Sequence, residues 1–296
     1  MHVRRLGPQI EITTPAKINL FLEVLGRRDD GYHELETVLA AISLYDTLRF
    51  TPEAGGEIKL TCRWAAGGQP GEIPTGRENL VWRAAELLRQ RAGSSAGAAI
   101  ELIKRIPAAA GLGGASSDAA ATLVAANLAW RLDWPREQLS ELAAELGSDV
   151  PFFLKGGLAL ARGRGERLQS LPPARLHIAL VRPPVGLSTA DVYRACRPAT
   201  EPNSAANLLA ALARGDAAAA GRGLVNGLEP AASGLTPWIG RLRREFERQD
   251  VWGHQMSGSG SSYFGLCRHA RHARRVARRL RARGLGAACA ATTAVA

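Results

Sequence analysis

The stretch IPAAAGLGGASSD, residues 106–118, combines backbone and side chains that are suited to holding an anion. Its three glycines lack a Cβ and allow backbone N–H groups to converge on phosphate oxygens. An alanine-rich helical pattern follows, and the N-terminus of a helix adds the positive end of its dipole. Ser116 and Ser117 stand where hydroxyls can cap that helix, bind phosphate oxygens or hold a metal ion. The stretch is therefore suited to a nucleoside triphosphate.

Two common phosphate-loop patterns do not fit this stretch. A Walker A loop requires Gly-Lys, and the chain contains no such pair. A dinucleotide-binding fingerprint begins at Gly111, but Ser116 stands at its third glycine position and no βαβ unit surrounds it. The structural alternative is a flexible connection between a strand and a helix, capped by a serine.

Other polar residues stand in similarly regular contexts. Lys17 and Asn19 lie on one face of a predicted strand, while Ile18 and its apolar neighbours lie on the other. That polar face looks either into a cleft or into solvent. Asp149, in Gly-Ser-Asp-Val-Pro, is typical of a helix N-cap with proline just inside the helix.

Four segments, in order along the chain, resemble the GHMP kinase superfamily, the small-molecule kinases named for galactose, homoserine, mevalonate and phosphomevalonate. The pattern PxxxGLGGxSSDAA at 107–120 resembles their phosphate loop, and MSGSGSSYFGL at 256–266 resembles their C-terminal glycine motif. The segments PAKINLFLEVLGRRDDGYHELET at 15–37 and LGSDVPFFLKGGLALARGRGE at 146–166 are similar to a branch that acts on a cytidyl substrate.

The resemblance implies an ATP-dependent kinase that uses Mg²⁺ and a small-molecule substrate. The implied reaction phosphorylates the 2-hydroxyl of a diphosphocytidyl-methylerythritol and releases ADP, a step of the non-mevalonate route to isoprenoid precursors. In the family, a lysine and an aspartate at the positions of Lys17 and Asp149 are catalytic, and the aspartate accepts the hydroxyl proton. Asn19 then contacts substrate phosphate, and Tyr32, His33 and Tyr193 bind the cytosine.

The implied ATP-binding residues are the whole loop and two positions that border the adenine: Pro107, Ala108, Ala109, Ala110, Gly111, Leu112, Gly113, Gly114, Ala115, Ser116, Ser117, Asn79 and Lys104. Asn79 also suits a helix N-cap, and Lys104 a strand end. Either Ser116 or Ser117 meets the metal. Asp118 would repel a triphosphate unless it points away or faces Mg²⁺, and Arg164 could reach a phosphate.

Strands and helices are mixed without regular βαβ alternation, which predicts an α+β fold. The resemblance implies a two-lobe GHMP kinase fold, with a domain like ribosomal protein S5 domain 2 over 1–168 and a ferredoxin-like domain over 169–296. Gly/Pro-rich breaks occur near 67–76 and 170–174. The hydrophobic periodicity predicts strands and then helices in the first part, with strands at 9–13, 17–26, 47–51, 57–63 and 98–104 and helices at 78–92, 117–132 and 135–146.

The second part restarts with a strand, several helices, a strand, a helix and a strand, at 176–183, 188–248, 262–267, 268–283 and 285–293. The chain has 296 residues, 46% of them hydrophobic, and no apolar stretch long enough to span a membrane. Its four cysteines are far apart, which indicates small buried thiols in a reducing cytosol. We therefore expect a cytoplasmic protein, a monomer or weak homodimer, that binds neither membrane nor nucleic acid.

The net charge is +11, and the segment 268–283 carries eight arginines and no acid. Because Ala273, Val276 and Leu280 recur at helical spacing in this segment, we expect an amphipathic helix with a solvated arginine face. A protein that binds nucleic acid through this helix is one rival interpretation. A GHMP kinase with another small substrate is the second rival, and the DGYH sequence at 30–33, together with Tyr193, argues against it.

Overall fold

The structure is a computed structural model that describes residues 1–66 and 73–293. Of the Gly/Pro-rich break predicted near 67–76, residues 67–72 lie outside the described residues. The strands, in chain order, are β1 His2–Leu6, β2 Gln9–Arg27, β3 His33–Glu53, β4 Ile58–Trp64, β5 Gly97–Lys104, β6 Leu158–Gly163, β7 Arg167–Leu171, β8 His177–Arg182, β9 Val225–Asn226, β10 Gly253–Met256, β11 Tyr263–Cys267 and β12 Ala287–Thr292.

The helices, in the same order, are α1 Leu80–Arg91, α2 Gly114–Ala129, α3 Arg136–Leu146, α4 Val150–Lys155, α5 Thr189–Ala195, α6 Ala206–Ala213, α7 Ala217–Arg222, α8 Glu229–Leu235, α9 Pro237–Glu247 and α10 Ala270–Ala282. Strands and helices are mixed in both halves of the chain, so the α+β prediction is confirmed. None of the helices in the described residues is both long and apolar enough to cross a membrane.

The chain divides into two compact units whose segments interleave along the sequence. The first unit comprises Met1–Ala16, Leu44–Pro107 and Gly113–Gly156, and the second comprises Lys17–Ser43, Ala108–Leu112 and Gly157–Ala296. The long strands β2 and β3 therefore contribute residues to both units. The family domain boundary at 168/169 stays a prediction.

The first unit is a sheet covered by helices. Its strands follow the order β1-β2-β3-β5-β4, in which β1 pairs antiparallel with β2, β3 antiparallel with β5, and β4 parallel with β5. Leu48 and Phe50 on β3 are fully buried, and the Phe50 ring meets Trp130 edge-on at 5.3 Å. Helix α2 is nearly all small residues and is buried along most of its length, which lets it pack closely in this core.

The second unit contains a four-stranded antiparallel sheet in the order β10-β11-β8-β12. Its βαββαβ succession is that of a ferredoxin-like domain, as expected. Helix α10 buries the predicted apolar stripe, including Ala273, Val276 and Leu280, against this core. The arginines at 271, 274, 275, 278 and 279 are exposed on the other side, so the amphipathic prediction is confirmed.

Several predicted boundaries differ from the structure. The two strands expected over 9–13 and 17–26 form one continuous strand, β2, because Pro15 does not interrupt it. Helix α2 begins at Gly114, three residues before the predicted start, with Gly113 as a left-handed N-cap. The four cysteines are free, but only Cys267 is fully buried.

Candidate active site

Lys17 and Asn19 lie on β2 and are buried, with 5% and 3% of their surfaces exposed. The Lys17 ammonium donates to Asn19 Oδ1 at 2.7 Å, and Asn19 Nδ2 donates to Thr37 Oγ1 at 2.9 Å. Thr37 in turn donates to the Phe21 carbonyl at 2.6 Å. This face of β2 does not look into solvent, so the solvent-side alternative for Lys17 and Asn19 is wrong. The bonds fix the amide orientation of Asn19, with its oxygen toward the lysine.

The loop segment Ala108–Leu112 lies beside Lys17 in the second unit. The Lys17 amide donates to the Leu112 carbonyl at 2.9 Å. The predicted C-terminal glycine motif meets the same segment, since Ser257 Oγ donates to the Gly111 carbonyl at 3.0 Å and the Ser262 amide donates to the Ala110 carbonyl at 3.1 Å. Three segments that the sequence analysis singled out separately therefore converge here.

Glycine is required at two of these contacts. A Cβ on Gly111, whose φ is +72°, would lie 2.0 Å from the Ser257 carbonyl oxygen. A Cβ on Gly258, whose φ is +56°, would lie 3.2 Å from Lys17 Nζ and 3.3 Å from Asn19 Oδ1. Both glycines allow backbone to approach backbone or the lysine closely, which a side chain would prevent.

Asn226 holds the C-terminal glycine motif in place and was missed in the sequence. Its Nδ2 donates to the carbonyls of Met256 at 2.8 Å and Gly258 at 2.9 Å. Its Oδ1 accepts the Leu228 amide at 2.9 Å. An asparagine followed by glycine indicates a turn and nothing more, so no signal in the sequence distinguishes this residue.

In the first unit, helix α2 starts at the end of the glycine loop without a side-chain cap among its described residues. The structural alternative of a serine-capped helix is therefore wrong, since Gly113 occupies the N-cap position. Ser117 is fully buried and donates to the Pro15 carbonyl at 2.6 Å, with Thr14 Oγ1 at 2.5 Å from its own hydroxyl oxygen. Ser116 is half-buried. Of the two serines, Ser116 is the one with a solvent-accessible side chain.

A buried ionic triad lies behind the start of α2. Lys104 Nζ donates to Asp118 Oδ2 at 2.5 Å and to Asp46 Oδ2. Asp46 Oδ1 also accepts the amides of Arg105 and Ile106, the second at 2.8 Å. All three charged side chains are at most 7% exposed. The triad thus fastens the chain that enters the loop to the helix that leaves it, and Asp118 points into it.

The charges of the triad are coupled. Burial raises the pKa of Asp118 to about 7, opposed by the charge of Lys104 and reinforced by that of Asp46. Burial acts to lower the pKa of Lys104, but the two carboxylates outweigh it and the net shift is upward. Asp118 Oδ1 has no hydrogen-bond partner among the described residues. We conclude that Lys104 stays charged while the carboxylates compete for one counter-charge.

Asn79 and Asp149 both stand at helix starts in the first unit. Asn79 caps α1, accepting the Val81 amide at 2.9 Å, and its Nδ2 donates to the Pro74 carbonyl at 2.6 Å. The N-cap alternative for Asn79 is confirmed, and its contact with adenine stays a prediction. Asp149 occupies the N-cap position of α4 and is half-buried, but it makes no capping bond within the described helix. Capping therefore does not account for Asp149.

Two of the three aromatic residues predicted to bind cytosine contact each other in the second unit. The rings of His33 and Tyr193 lie 5.2 Å apart. Tyr32 is 53% exposed, and the Arg164 guanidinium carbon lies 4.7 Å from the centre of its ring. Desolvation and the charge of Arg27 lower the pKa of His33, so its ring is neutral near pH 7 and offers one donor and one acceptor.

Known proteins match this chain over nearly its whole length. The GHMP kinases N terminal domain model matches residues 79–157, and the GHMP kinases C terminal model matches residues 208–285. A relative from Pelotomaculum thermopropionicum, named 4-diphosphocytidyl-2-C-methyl-D-erythritol kinase, is 49% identical over 269 residues, which cover 90% of this chain and 92% of that protein. A relative of the same name from Heliobacterium modesticaldum is 42% identical over 287 residues, covering 90% and 89%.

A solved structure gives the same result. The crystal structure of a 4-(cytidine 5'-diphospho)-2C-methyl-D-erythritol kinase matches with a TM-score of 0.81 and 41% identity. The match covers 97% of this chain and 100% of that one. The two-lobe fold expected from the sequence is therefore confirmed.

Proposed function

We infer that this chain, which belongs to the GHMP kinases and to their 4-diphosphocytidyl-2-C-methyl-D-erythritol kinase family, phosphorylates the 2-hydroxyl of 4-diphosphocytidyl-2-C-methyl-D-erythritol. ATP is the phosphate donor, and the products are the 2-phosphate and ADP. The observation that carries this conclusion is the identity with kinases of that name along nearly the full chain. The reaction belongs to isoprenoid precursor synthesis by the non-mevalonate route.

We assign the catalytic roles to Lys17 and Asp149. The Asp149 carboxylate would accept the proton of the substrate hydroxyl as its oxygen attacks the γ-phosphate. The buried Lys17 ammonium, oriented by Asn19 at 2.7 Å, would stabilise the charge that develops on the transferred group. Phosphoryl transfer depends mainly on positioning and electrostatics, so these groups and an anion cradle are sufficient. Burial and hydrogen bonding of Lys17 support its part of the assignment.

The ATP phosphates would bind along residues 107–117. The residues fit a polyphosphate, because the first-turn amides of α2 meet no capping side chain in the described chain and a helix N-terminus attracts anions. Mg²⁺ would arrive with the nucleotide, neutralise phosphate charge and be met by the hydroxyl of Ser116. We propose that the metal would be bound largely through phosphate oxygens.

The cytosine would stack on Tyr32 and Tyr193, with neutral His33 reading the polar edge of the base. Support comes from the 5.2 Å contact between His33 and Tyr193 and from the exposure of Tyr32. Aromatic stacking of a base is worth about 1–3 kcal/mol and tolerates any base, so the choice of cytosine would rest on the contact with His33. We further propose a cytoplasmic protein, monomeric or weakly dimeric, that works on small molecules alone, in line with its four free cysteines.

The test is a coupled ADP-release assay with a panel of alcohols that includes the cytidyl substrate, homoserine, mevalonate and galactose. We expect turnover with the cytidyl substrate and rates near background with the others. A matched control is the same assay with the cytidine replaced by uridine, which removes the amino group of the base. Comparable turnover of mevalonate or homoserine would refute the assignment.

A further inference from the structure

Helix α10 carries a group of arginines for which the rest of the described chain provides no partner. The exposed members, which make no ion pair and no side-chain hydrogen bond within residues 1–66 and 73–293, are Arg271, Arg274, Arg275, Arg278 and Arg279. The arginines that flank them are paired, Arg268 with Asp250 at 2.6 Å and Arg283 with Glu245 at 2.7 Å. Within α10, the arginines without such a partner therefore lie in one stretch, 271–279.

Folding of α10 does not require this face. The helix is held by its buried stripe of Ala273, Val276 and Leu280. Like charges three and four residues apart repel one another, and positive charge in the first turns opposes the helix dipole. A helix with neutral or mixed charges on its exposed face would bury the same apolar stripe with less electrostatic repulsion. Packing of α10 therefore leaves these guanidinium groups available to bind an anion from solution.

Four of these arginines line a cavity of about 510 Å³ together with two histidines, and the lining residues are His269, Arg271, His272, Arg274, Arg275 and Arg278. No carboxylate is among them. The volume falls within the range of about 300–1,000 Å³ that is usual for small-molecule sites. We call this cavity the arginine pocket.

The two histidines of the arginine pocket are held as hydrogen-bond donors. His272 Nδ1 accepts the Arg268 amide at 3.3 Å, and His269 Nδ1 accepts the His272 amide at 3.1 Å. With Nδ1 as the acceptor, the neutral form of each ring carries its proton on Nε2. Burial lowers the pKa of His272, and the nearby charges of Arg275 and Arg268 act in the same direction.

We propose that the arginine pocket is a second anion site, separate from the ATP loop, which binds a compact chain of phosphate groups such as a triphosphate. A guanidinium binds phosphate oxygens in pairs with fixed geometry, and four of them match the charge of such a chain. The lining residues all lie between 269 and 278, and this short stretch of one helix matches a short phosphate chain better than a duplex nucleic acid, which needs an extended surface.

The test compares two variants with the same loss of charge. The pocket variant is Arg274→Gln/Arg275→Gln/Arg278→Gln, and the control variant is Arg4→Gln/Arg5→Gln/Arg214→Gln, which changes three exposed arginines outside α10. Inorganic tripolyphosphate is titrated into each full-length protein by isothermal calorimetry. We expect the pocket variant to lose one bound tripolyphosphate per chain, or about tenfold or more in its affinity, while the control stays within twofold of wild type.

Two further measurements make the result decisive. Melting temperature and kcat of the pocket variant should match or exceed those of wild type, because like-charge repulsion is removed and no catalytic group is touched. Titration with GTP then distinguishes a nucleotide from a free phosphate chain, since a nucleotide site binds GTP more tightly than tripolyphosphate. Equal tripolyphosphate binding by all three proteins would overturn the proposal. The proposal would also be overturned, in favour of a nucleic-acid surface, if the pocket variant lost its binding to a short RNA duplex but kept its binding to tripolyphosphate.

Discussion

Replacing Lys104 with methionine tests the structural role that the buried triad gives this residue. Lys104→Met keeps the length of the side chain and removes the charge that Asp46 and Asp118 share. Removing one partner of a buried ion pair costs about 3–5 kcal/mol, because the remaining charge is left buried without compensation. For a chain of this size each kcal/mol lowers the melting temperature by about 2–4 °C, so the expected loss is about 6–20 °C.

Lys59 provides a matched control. It also lies near two carboxylates, Glu53 at 3.7 Å and Glu57 at 3.5 Å, but it is 57% exposed. Exposed ion pairs are worth about 0–1 kcal/mol, so Lys59→Met should lower the melting temperature by no more than about 4 °C. Both variants thus remove one lysine ammonium that lies near two carboxylates, and the two lysines differ in how deeply they are buried.

The assay is thermal unfolding followed by circular dichroism at pH 7.5, with KM for ATP measured below the melting temperature of each variant. A second variant, Lys104→Met/Asp118→Asn, should be more stable than Lys104→Met alone, because it removes one of the two unpaired carboxylates. If Lys104→Met melts like Lys59→Met while its KM for ATP rises, the triad reasoning is refuted and a direct contact with the nucleotide takes its place.

Three further predictions concern the same regions. Burial raises the pKa of Asp118 from 3.8 to about 7, so between these pH values the folded chain holds a proton that the unfolded chain releases. The free energy of unfolding of wild type, relative to that of Asp118→Asn, should therefore be greatest below pH 3.8 and fall as the pH rises to 7. Urea unfolding at several pH values measures it. Tyr32→Ala should raise KM for the cytidyl substrate about 5- to 150-fold and leave KM for ATP unchanged, whereas Tyr32→Phe should change neither, since the ring is retained; a parallel rise for both substrates would contradict stacking. Ser117→Ala should lower the free energy of unfolding by about 1–2 kcal/mol, because it leaves the buried Thr14 hydroxyl with fewer partners. Ser116→Ala should instead raise KM for ATP and Mg²⁺ and leave the melting temperature unchanged. Thermal melts and steady-state kinetics separate the two variants.

Local patterns predicted the elements around the site well. The glycine loop, the strand before it and the helix after it were found from composition and periodicity, and the amphipathic character of α10 followed from the spacing of Ala273, Val276 and Leu280. The predicted start of α2 at Ser117 is too late, because glycine is a poor helix former and the pattern assigns Gly114 to the loop. Packing explains the difference, since a Cβ on Gly114 would lie 2.9 Å from Ile106 and 3.1 Å from Lys104 Nζ.

Long-range contacts were beyond the reach of the sequence. Asp46 stands 58 residues before Lys104 and lies just ahead of the strand predicted at 47–51, yet it joins the triad that fastens the loop. The burial of Lys17 and Asn19 was likewise not visible, because alternation on one strand does not say what covers its polar face. Asn226 acts through carbonyls 30 and 32 residues further along the chain.

The central claim is that the chain transfers phosphate from ATP to the 2-hydroxyl of the cytidyl substrate with Asp149 as the base. Phosphorus NMR of the reaction mixture, recorded for wild type and for Asp149→Asn, tests it most directly. We predict one new phosphomonoester at the 2-position, formed in the same amount as ADP, and a rate about 10²–10⁴-fold lower in the variant. Release of ADP without that phosphomonoester, or an unchanged rate in a folded Asp149→Asn protein, would contradict the account.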